Sequence, residues 1–267
     1  MKTMEPGSIT RPIARAVRTR VQAAFAAALL VMVASPAFAA AADDEDAAAI
    51  VRKADEVRFP AEGFEAGVAI ESVAEGSEPQ LRRYRVLSKG NENTIVMVTE
   101  PAAERGQIML MKGHDLWVFL PNVSQPVRLS LSQRLTGEVA NGDLARANFA
   151  GDYDAHVLRV EDGDGGPTYV LELLARERGV TYHRVLYWVR KASAWPVKAE
   201  FYSVSDRLLK TAHYDDFQRV AGKMRPMRII MRDALREDEV STLRYSDMRL
   251  RELPDRVFTK DYLKRLE

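Results

Sequence analysis

Cysteine is absent from all 267 residues. That absence excludes disulfide staples, thiolate metal sites, cysteine nucleophiles and lipid attachment at a processed N-terminal cysteine. Histidine is scarce: the four residues His114, His156, His183 and His213 lie far apart, in neither H-x-x-x-H nor H-E-x-x-H spacing. The chain has no G-x-S-x-G elbow and no G-x-x-x-x-G-K-[ST] phosphate loop. Asp162-Gly163-Asp164-Gly165 lacks the downstream acidic ligands of a calcium loop and reads instead as a hairpin tip. Asp152, Asp154, Asp215, Asp216, Glu237, Asp238 and Glu239 could be imagined as paired carboxylates, but each falls at an expected strand end or turn, where acidic residues are common. No catalytic centre, metal or cofactor is expected.

Neither sign of charge dominates, with 39 basic against 38 acidic residues. Lys2, Arg11, Arg15, Arg18 and Arg20 open the chain with only Glu5 opposing them, and an apolar run over 21–34 and Ser35-Pro36-Ala37-Phe38-Ala39 follow. This order is that of a secretory signal peptide cleaved after Ala39 or within the next three alanines. As a membrane anchor the run falls short of the ~20 residues a span needs. Without residues 1–39 the chain keeps 34 basic and 37 acidic side chains. The lack of a positive excess argues against nucleic acid as a partner. A single domain over 40–267, periplasmic and monomeric, is the expectation.

Ala47, Ile50, Val51, Ala54 and Val57 recur three or four apart, predicting a helix that Phe59-Pro60 ends. From Phe64 the period becomes two. Strands are predicted at Phe64–Val73, Leu81–Lys89, Thr94–Thr99, Gln107–Met111, Leu116–Leu120, Val127–Ser130, Ala155–Glu161, Thr168–Leu174, Thr181–Arg190, Val197–Ser203, Leu208–Asp215, Met227–Asp233 and Glu239–Asp247, with a further one at Arg249–Leu253. Short turns with no crossover helices imply an antiparallel meander that must curl. A central helix near Leu131–Ala147 and a terminal one at Thr259–Glu267 would cover it. Pro196, Pro226 and Pro254 are placed at strand ends.

The segments 94–98, 108–111 and 116–120 are apolar on both faces, so something covers each side. Two readings stand: ordinary core, or a wall shared with a ligand, for which flexible methionine suits variable acyl chains. Val96, Met97, Met109, Met111, Trp117 and Phe119 are the candidate lining. The glycine-bearing stretch Ser132–Gly151 is either a movable cover or a fixed connection, with Leu135, Leu144 and Phe149 as candidate lid residues.

Met109-Leu110-Met111-Lys112-Gly113-His114-Asp115-Leu116-Trp117-Val118-Phe119-Leu120-Pro121-Asn122 resembles the outer-membrane lipoprotein-sorting family, a LolA-like group. So do Pro126–Ser130, Asn141–Phe149 with Asp152-Tyr153, and Leu253–Leu263. The resemblance implies a mainly β fold, an incomplete, strongly curved antiparallel β-barrel covered by a few short helices, around a lipid cavity. It implies a non-catalytic carrier of acylated lipoprotein or lipid cargo, working with an inner-membrane transporter or an outer-membrane acceptor. A lipid-sensing module that signals to a membrane partner is the alternative. Better-known carriers latch the lid with an arginine; Arg82, Arg83, Arg85, Arg105 and Arg128 are the candidates here.

Overall fold

The computed structural model describes residues 44–146, 148–236 and 238–263. The expected leader, 1–39, and the last part of the expected terminal helix, 264–267, lie outside the described residues.

Helix α1 (Asp44–Arg58) forms where the apolar spacing predicts it, and its stripe of Ala47, Val51 and Ala54 is fully buried. Pro60 cannot continue it. Six strands follow as a meander: β1 (Phe64–Val73), β2 (Gln80–Lys89), β3 (Asn93–Glu100), β4 (Ile108–Lys112), β5 (Asp115–Phe119) and β6 (Val127–Leu129). A second meander runs through β9 (Tyr153–Gly163), β10 (Gly166–Ala175), β11 (Arg184–Arg190), β12 (Pro196–Tyr202), β13 (Leu208–Val220), β14 (Lys223–Asp233) and β15 (Val240–Leu250). β1 pairs antiparallel with β15, joining the two into one 13-stranded curved sheet. The sheet is not closed into a barrel: β6 and β9 are its edges.

The alternation behind the strand predictions is visible in β11, where Val185, Tyr187 and Val189 are buried and Arg184, Leu186, Trp188 and Arg190 are not. Strands therefore turn one face inward, and the main core fills the concave side around α1. β4 departs from alternation, with Ile108, Met109, Leu110 and Met111 all buried. The cause is a strap after β15: a 3₁₀ turn at Asp255–Val257 and α4 (Lys260–Leu263) lay Leu253, Val257, Phe258 and Leu263 on the convex face of β2–β5. This strap takes the place of the further strand expected at Arg249–Leu253.

The connection from β6 to β9 also differs from expectation. No long helix forms over Leu131–Ala147. The chain makes a hairpin of β7 (Arg134–Thr136) and β8 (Val139–Ala140), then the short helices α2 (Asn141–Ala145) and α3 (Phe149–Asp152). Gly137 explains the hairpin. It turns with φ +49, and a β-carbon there would overlap Ser72 of β1 and Ser241 of β15. Pro226, expected at a strand start, lies inside β14, in the part that pairs with β13 before pairing with β15 begins at Arg228. Its missing N–H therefore costs no ladder bond on that side.

The β1–β15 seam holds the two meanders together, and Leu243 packs there, fully buried, opposite Ile70 and Ile229. Leu243→Ala should cost about 2–5 kcal/mol, seen as a lower denaturant midpoint with little change in slope.

Candidate functional site

Because β6 and β9 lie at opposite edges, the chain between them must span the open side of the curved sheet. The crossing segment, residues 130–152, does so together with α1. Leu131, Val139, Leu144 and Phe149 enter the main core beside Val51 and Ala54, and Leu135 packs half-buried against it. The hollow is thus occupied by the protein's own cover. A more open cleft of about 250 Å³ runs along the edge of the cover, between Val139, Ala140 and Glu138 and the side chains of Tyr182, Leu209 and Lys210, and two small spaces lie within the hollow. One of about 20 Å³ is lined by Arg58, Asp143, Arg146, Asp152, Tyr182 and Met231, among others. The other, about 10 Å³, lies between Phe59, Phe64, Val86, Leu144 and Tyr245. A water molecule needs roughly 10–15 Å³, so neither space admits an acyl chain while the cover is seated.

The six candidate lining residues are divided between the two faces of the sheet. Val96, Met109 and Met111 face the hollow, buried in the main core. Met97, Trp117 and Phe119 face outward and pack half-buried under the strap. Register explains the split: Val96 opposes Met109 and Met111 opposes Leu116, whereas Met97 opposes Ile108 and Trp117 opposes Leu110. Neighbours in sequence necessarily point to opposite faces. Of the candidate lid residues, Leu144 and Phe149 sit on the cover and point inward, 7% and 9% exposed.

Polar contacts hold the cover to the sheet. Lys210 of β13 donates to the Glu138 backbone carbonyl and to the Asp143 carboxylate, which also accepts from Tyr182 Oη at 2.8 Å. Arg146 donates from both arms of its guanidinium to Asp152, with Nε–Oδ2 2.6 Å, and at 2.9 Å to the Gly113 carbonyl in the β4–β5 turn. His114 of that turn meets Asp152 at 3.0 Å. Arg225 of β14 donates to the carbonyls of Glu56 and Val57 in the last turn of α1, at 2.7 and 3.3 Å. Within the hollow Arg58 pairs with Asp55 at 3.1 Å and lies 4.2 Å over the Phe149 ring. Asp55 in turn accepts from the Ala150 backbone N–H at 2.8 Å, tying α1 to α3.

Among the described residues none of the five arginines considered as latches hydrogen-bonds to the cover. Arg82 pairs with Glu104, Arg83 with Glu100, Arg85 with Glu65 and Arg128 with Asp115, while Arg105 donates to the Thr99 carbonyl. Lys210, Arg146 and Arg225 do the holding instead. Sequence reasoning passed over them, although Asp143, Arg146, Phe149 and Asp152 all fall in the block that carries the family resemblance.

Burial governs the electrostatics here. Desolvation pushes the Asp55 carboxyl up to about 7 against the opposing pull of Arg58. Desolvation likewise raises Glu138 to about 7, with Arg134 opposing and Glu239 and Asp233 adding to the rise. The Tyr182 and Tyr187 phenols are held well above their ordinary value, again chiefly by burial. Among the described residues the buried side-chain atoms Arg58 Nε, Tyr187 Oη and Tyr245 Oη make no hydrogen bond to another protein atom. The covered hollow is therefore apolar at its walls and imperfectly satisfied at its centre.

A family model described only as that of an uncharacterized protein matches residues 90–265. The crystal structure of a LolA superfamily protein from Nitrosomonas europaea is 62% identical, covers 81% of this chain and 98% of that one, and superposes with a TM-score of 0.78. The chain belongs to the LolA superfamily. The same fold recurs in a DUF1329 family protein from Desulfovibrio piger, at 22% identity over 82% of this chain and 98% of that one, with TM-score 0.71. It recurs also in a putative outer membrane lipoprotein-sorting protein domain from Vibrio parahaemolyticus, at 23% identity over 83% and 100%, with TM-score 0.70. No curated protein matches the chain.

A carboxyl whose folded pKa lies above its ordinary 3.8 binds its proton more tightly in the folded state. Its contribution to stability is whole below about pH 3.8 and is lost as pH rises toward about 7. Relative to Asp55→Asn, the wild type should therefore lose stability steadily between pH 4 and 7, read by urea denaturation at each pH. Parallel curves for the two proteins would contradict this assignment.

Proposed function

We propose that this protein is a non-catalytic carrier of the periplasm. It shelters the acyl chains of a lipoprotein or lipid in the hollow of its sheet, for transfer toward the outer membrane or to or from an envelope transporter. The observation that carries the reading is the contrast between the two sides of the cover's interface. The concave wall beneath it is apolar, with Val68, Ile70, Val96, Met111, Ile229 and Leu243 buried along it, while the contacts that fasten the cover are polar: the Lys210–Asp143 ion pair, and arginine donors on the backbone carbonyls of Gly113, Glu56 and Val57.

Each methylene of an acyl chain removed from water contributes roughly 0.8 kcal/mol. The cover's apolar side chains make the same kind of contribution when the site is empty. Cargo and cover therefore compete for one wall, and loading means exchanging one for the other. Val96, Met109 and Met111 would line the loaded hollow, and Leu144 and Phe149 would move away with the cover. Such a carrier needs concave apolar surface and a way to open it, with no reactive group. The leader expected at residues 1–39 is in keeping with work in the periplasm, and the carrier would act there as a monomer.

Opening requires the two halves of the sheet to part where the crossing segment bridges them. A β-carbon at Gly179, between β10 and β11, would stand 3.6 Å from that of His114 in the β4–β5 turn. Disulfides span about 3.5–4.5 Å between β-carbons, and the chain has no other cysteine to interfere. The oxidised double variant His114→Cys with Gly179→Cys should bind dansylaminoundecanoic acid at least tenfold more weakly than the wild type, and reduction should restore binding. Equal uptake by the oxidised and reduced forms, or none by the wild type, would overturn the reading.

A further inference from the structure

The convex face carries a second apolar cluster that the hollow does not explain. Leu87, Ile95, Ile108 and Leu110 are buried there beneath Leu253, Val257, Phe258 and Leu263 of the strap. The strap does not cover the face completely. Between it and strands β2 and β3 lies a cavity of about 290 Å³, with Leu87, Met97, Leu253, Val257 and Tyr262 among its walls. That is the scale of a small ligand site.

Charge on the rim is unbalanced. Glu65 is 8% exposed and receives three guanidinium groups: Arg85 at 2.7 Å, Arg251 at 2.6 Å and Arg249 at 3.4 Å. Two of the three positive charges are left uncompensated by that carboxylate. Arg256, on the strap, also lines the cavity and has no ion pair among the described residues. Glu252 is the one acidic side chain lining it. Arg85, Arg251 and Arg256 thus line the trough with Glu252, beside the apolar Leu87, Met97, Leu253 and Val257, while Glu65 and Arg249 stand behind this rim. Guanidinium groups recognise carboxylate and phosphate through paired N–H donors.

We propose that this cleft is a second ligand site, which takes a single alkyl chain ending in a phosphate or carboxylate. The chain lies along Leu87, Met97 and Val257, and the anionic head meets Arg256 and Arg251. The site is on the face opposite the hollow, is open while the cover is seated, and does not depend on the carrier reading. The strap has room to adjust: its outer tie, Lys89 to Asp255 at 2.7 Å, lies in solvent, and Lys260 rests 4.5 Å over Trp117.

Methionine methyl resonances separate the two sites, because Met97 faces the strap while Met109 and Met111 face the hollow. The exported protein, labelled with ¹³C-methyl methionine, would be titrated with dodecyl phosphate. The Met97 methyl should shift in a saturable manner. Arg256→Glu, a change at an exposed and unpaired side chain, should weaken that response at least tenfold. Dodecyl maltoside, with a neutral head, should bind at least tenfold more weakly, and inorganic phosphate alone should leave Met97 unmoved. Dodecanoate acting in place of dodecyl phosphate would assign a carboxylate head; its failure would assign a phosphate. A silent Met97, a response confined to Met109 and Met111, or equal binding by Arg256→Glu would overturn the proposal. The carrier reading has its own failure, in the oxidised His114–Gly179 pair, and the two cannot be confused.

Discussion

The pairing of the first strand with the last is the constraint on which the rest of the architecture depends. β1 and β15 zip along nine register positions with a bulge near Ala66, leaving β6 and β9 as distant free edges. A chain that ends one meander at β6 and starts the next at β9 has no short path except across the hollow. The cover is therefore an outcome of topology, and its sequence has only to decide how firmly it sits. Gly137 and Gly142 decide part of this, since a β-carbon at either would collide with Ser72 and Ser241 or with Thr181. The cover approaches the sheet as closely as backbone allows.

How the cover is fastened matters more than that it is fastened. Lys210–Asp143, Arg146–Asp152 and Arg58–Asp55 are all nearly withdrawn from solvent, with side chains 4–6% exposed. Taking such charges out of water costs several kcal/mol per ion, which their mutual attraction only partly returns. Hydrophobic side chains in the same places would hold at least as tightly. Of the three only Lys210–Asp143 joins the cover to the sheet, and its partners regain hydration when that contact opens, whereas Arg146–Asp152 and Arg58–Asp55 stiffen the cover from within. An interface made this way gives geometric register at modest net stability, which suits a part that has to come away intact.

The strands were readable in the sequence because a sheet with one face on a core must alternate, and turn residues marked its corners. β1 to β6 and β12 appear close to their expected spans, whereas β11 starts later than expected and β13, β14 and β15 run several residues beyond theirs, and α1 follows from its stripe alone. The site was read less well, for two physical reasons. Period two says that Met97 and Val96 lie on different faces without saying which is concave, and strands buried on both faces erase even that distinction. The apolar excess of β3 to β5 was a true signal of double coverage, but the second layer is the chain's own strap rather than cargo. The crossing segment was expected to hold one helix and instead forms a hairpin followed by two short helices. The decision against one long helix comes from the turn at Gly137, whose φ of +49 and close approach to Ser72 and Ser241 no local pattern contains. The latching cations were missed because Lys210 and Arg225 sit in ordinary strands, and only the fold brings them to the cover.

A preformed empty cavity would be a poor resting state for such a fold. Voids forfeit dispersion contacts and cost stability with their volume. Filling the hollow with Leu131, Val139, Leu144 and Phe149 avoids that cost, since each such side chain contributes roughly 1.5–3 kcal/mol on burial, or about 6–12 kcal/mol together. A sixteen-carbon acyl chain contributes roughly 12 kcal/mol by the same measure. On the carrier reading proposed above, one such chain would about offset the cover's own burial, so that the Lys210–Asp143 pair tying the cover to the sheet would weigh in which of the two occupies the hollow.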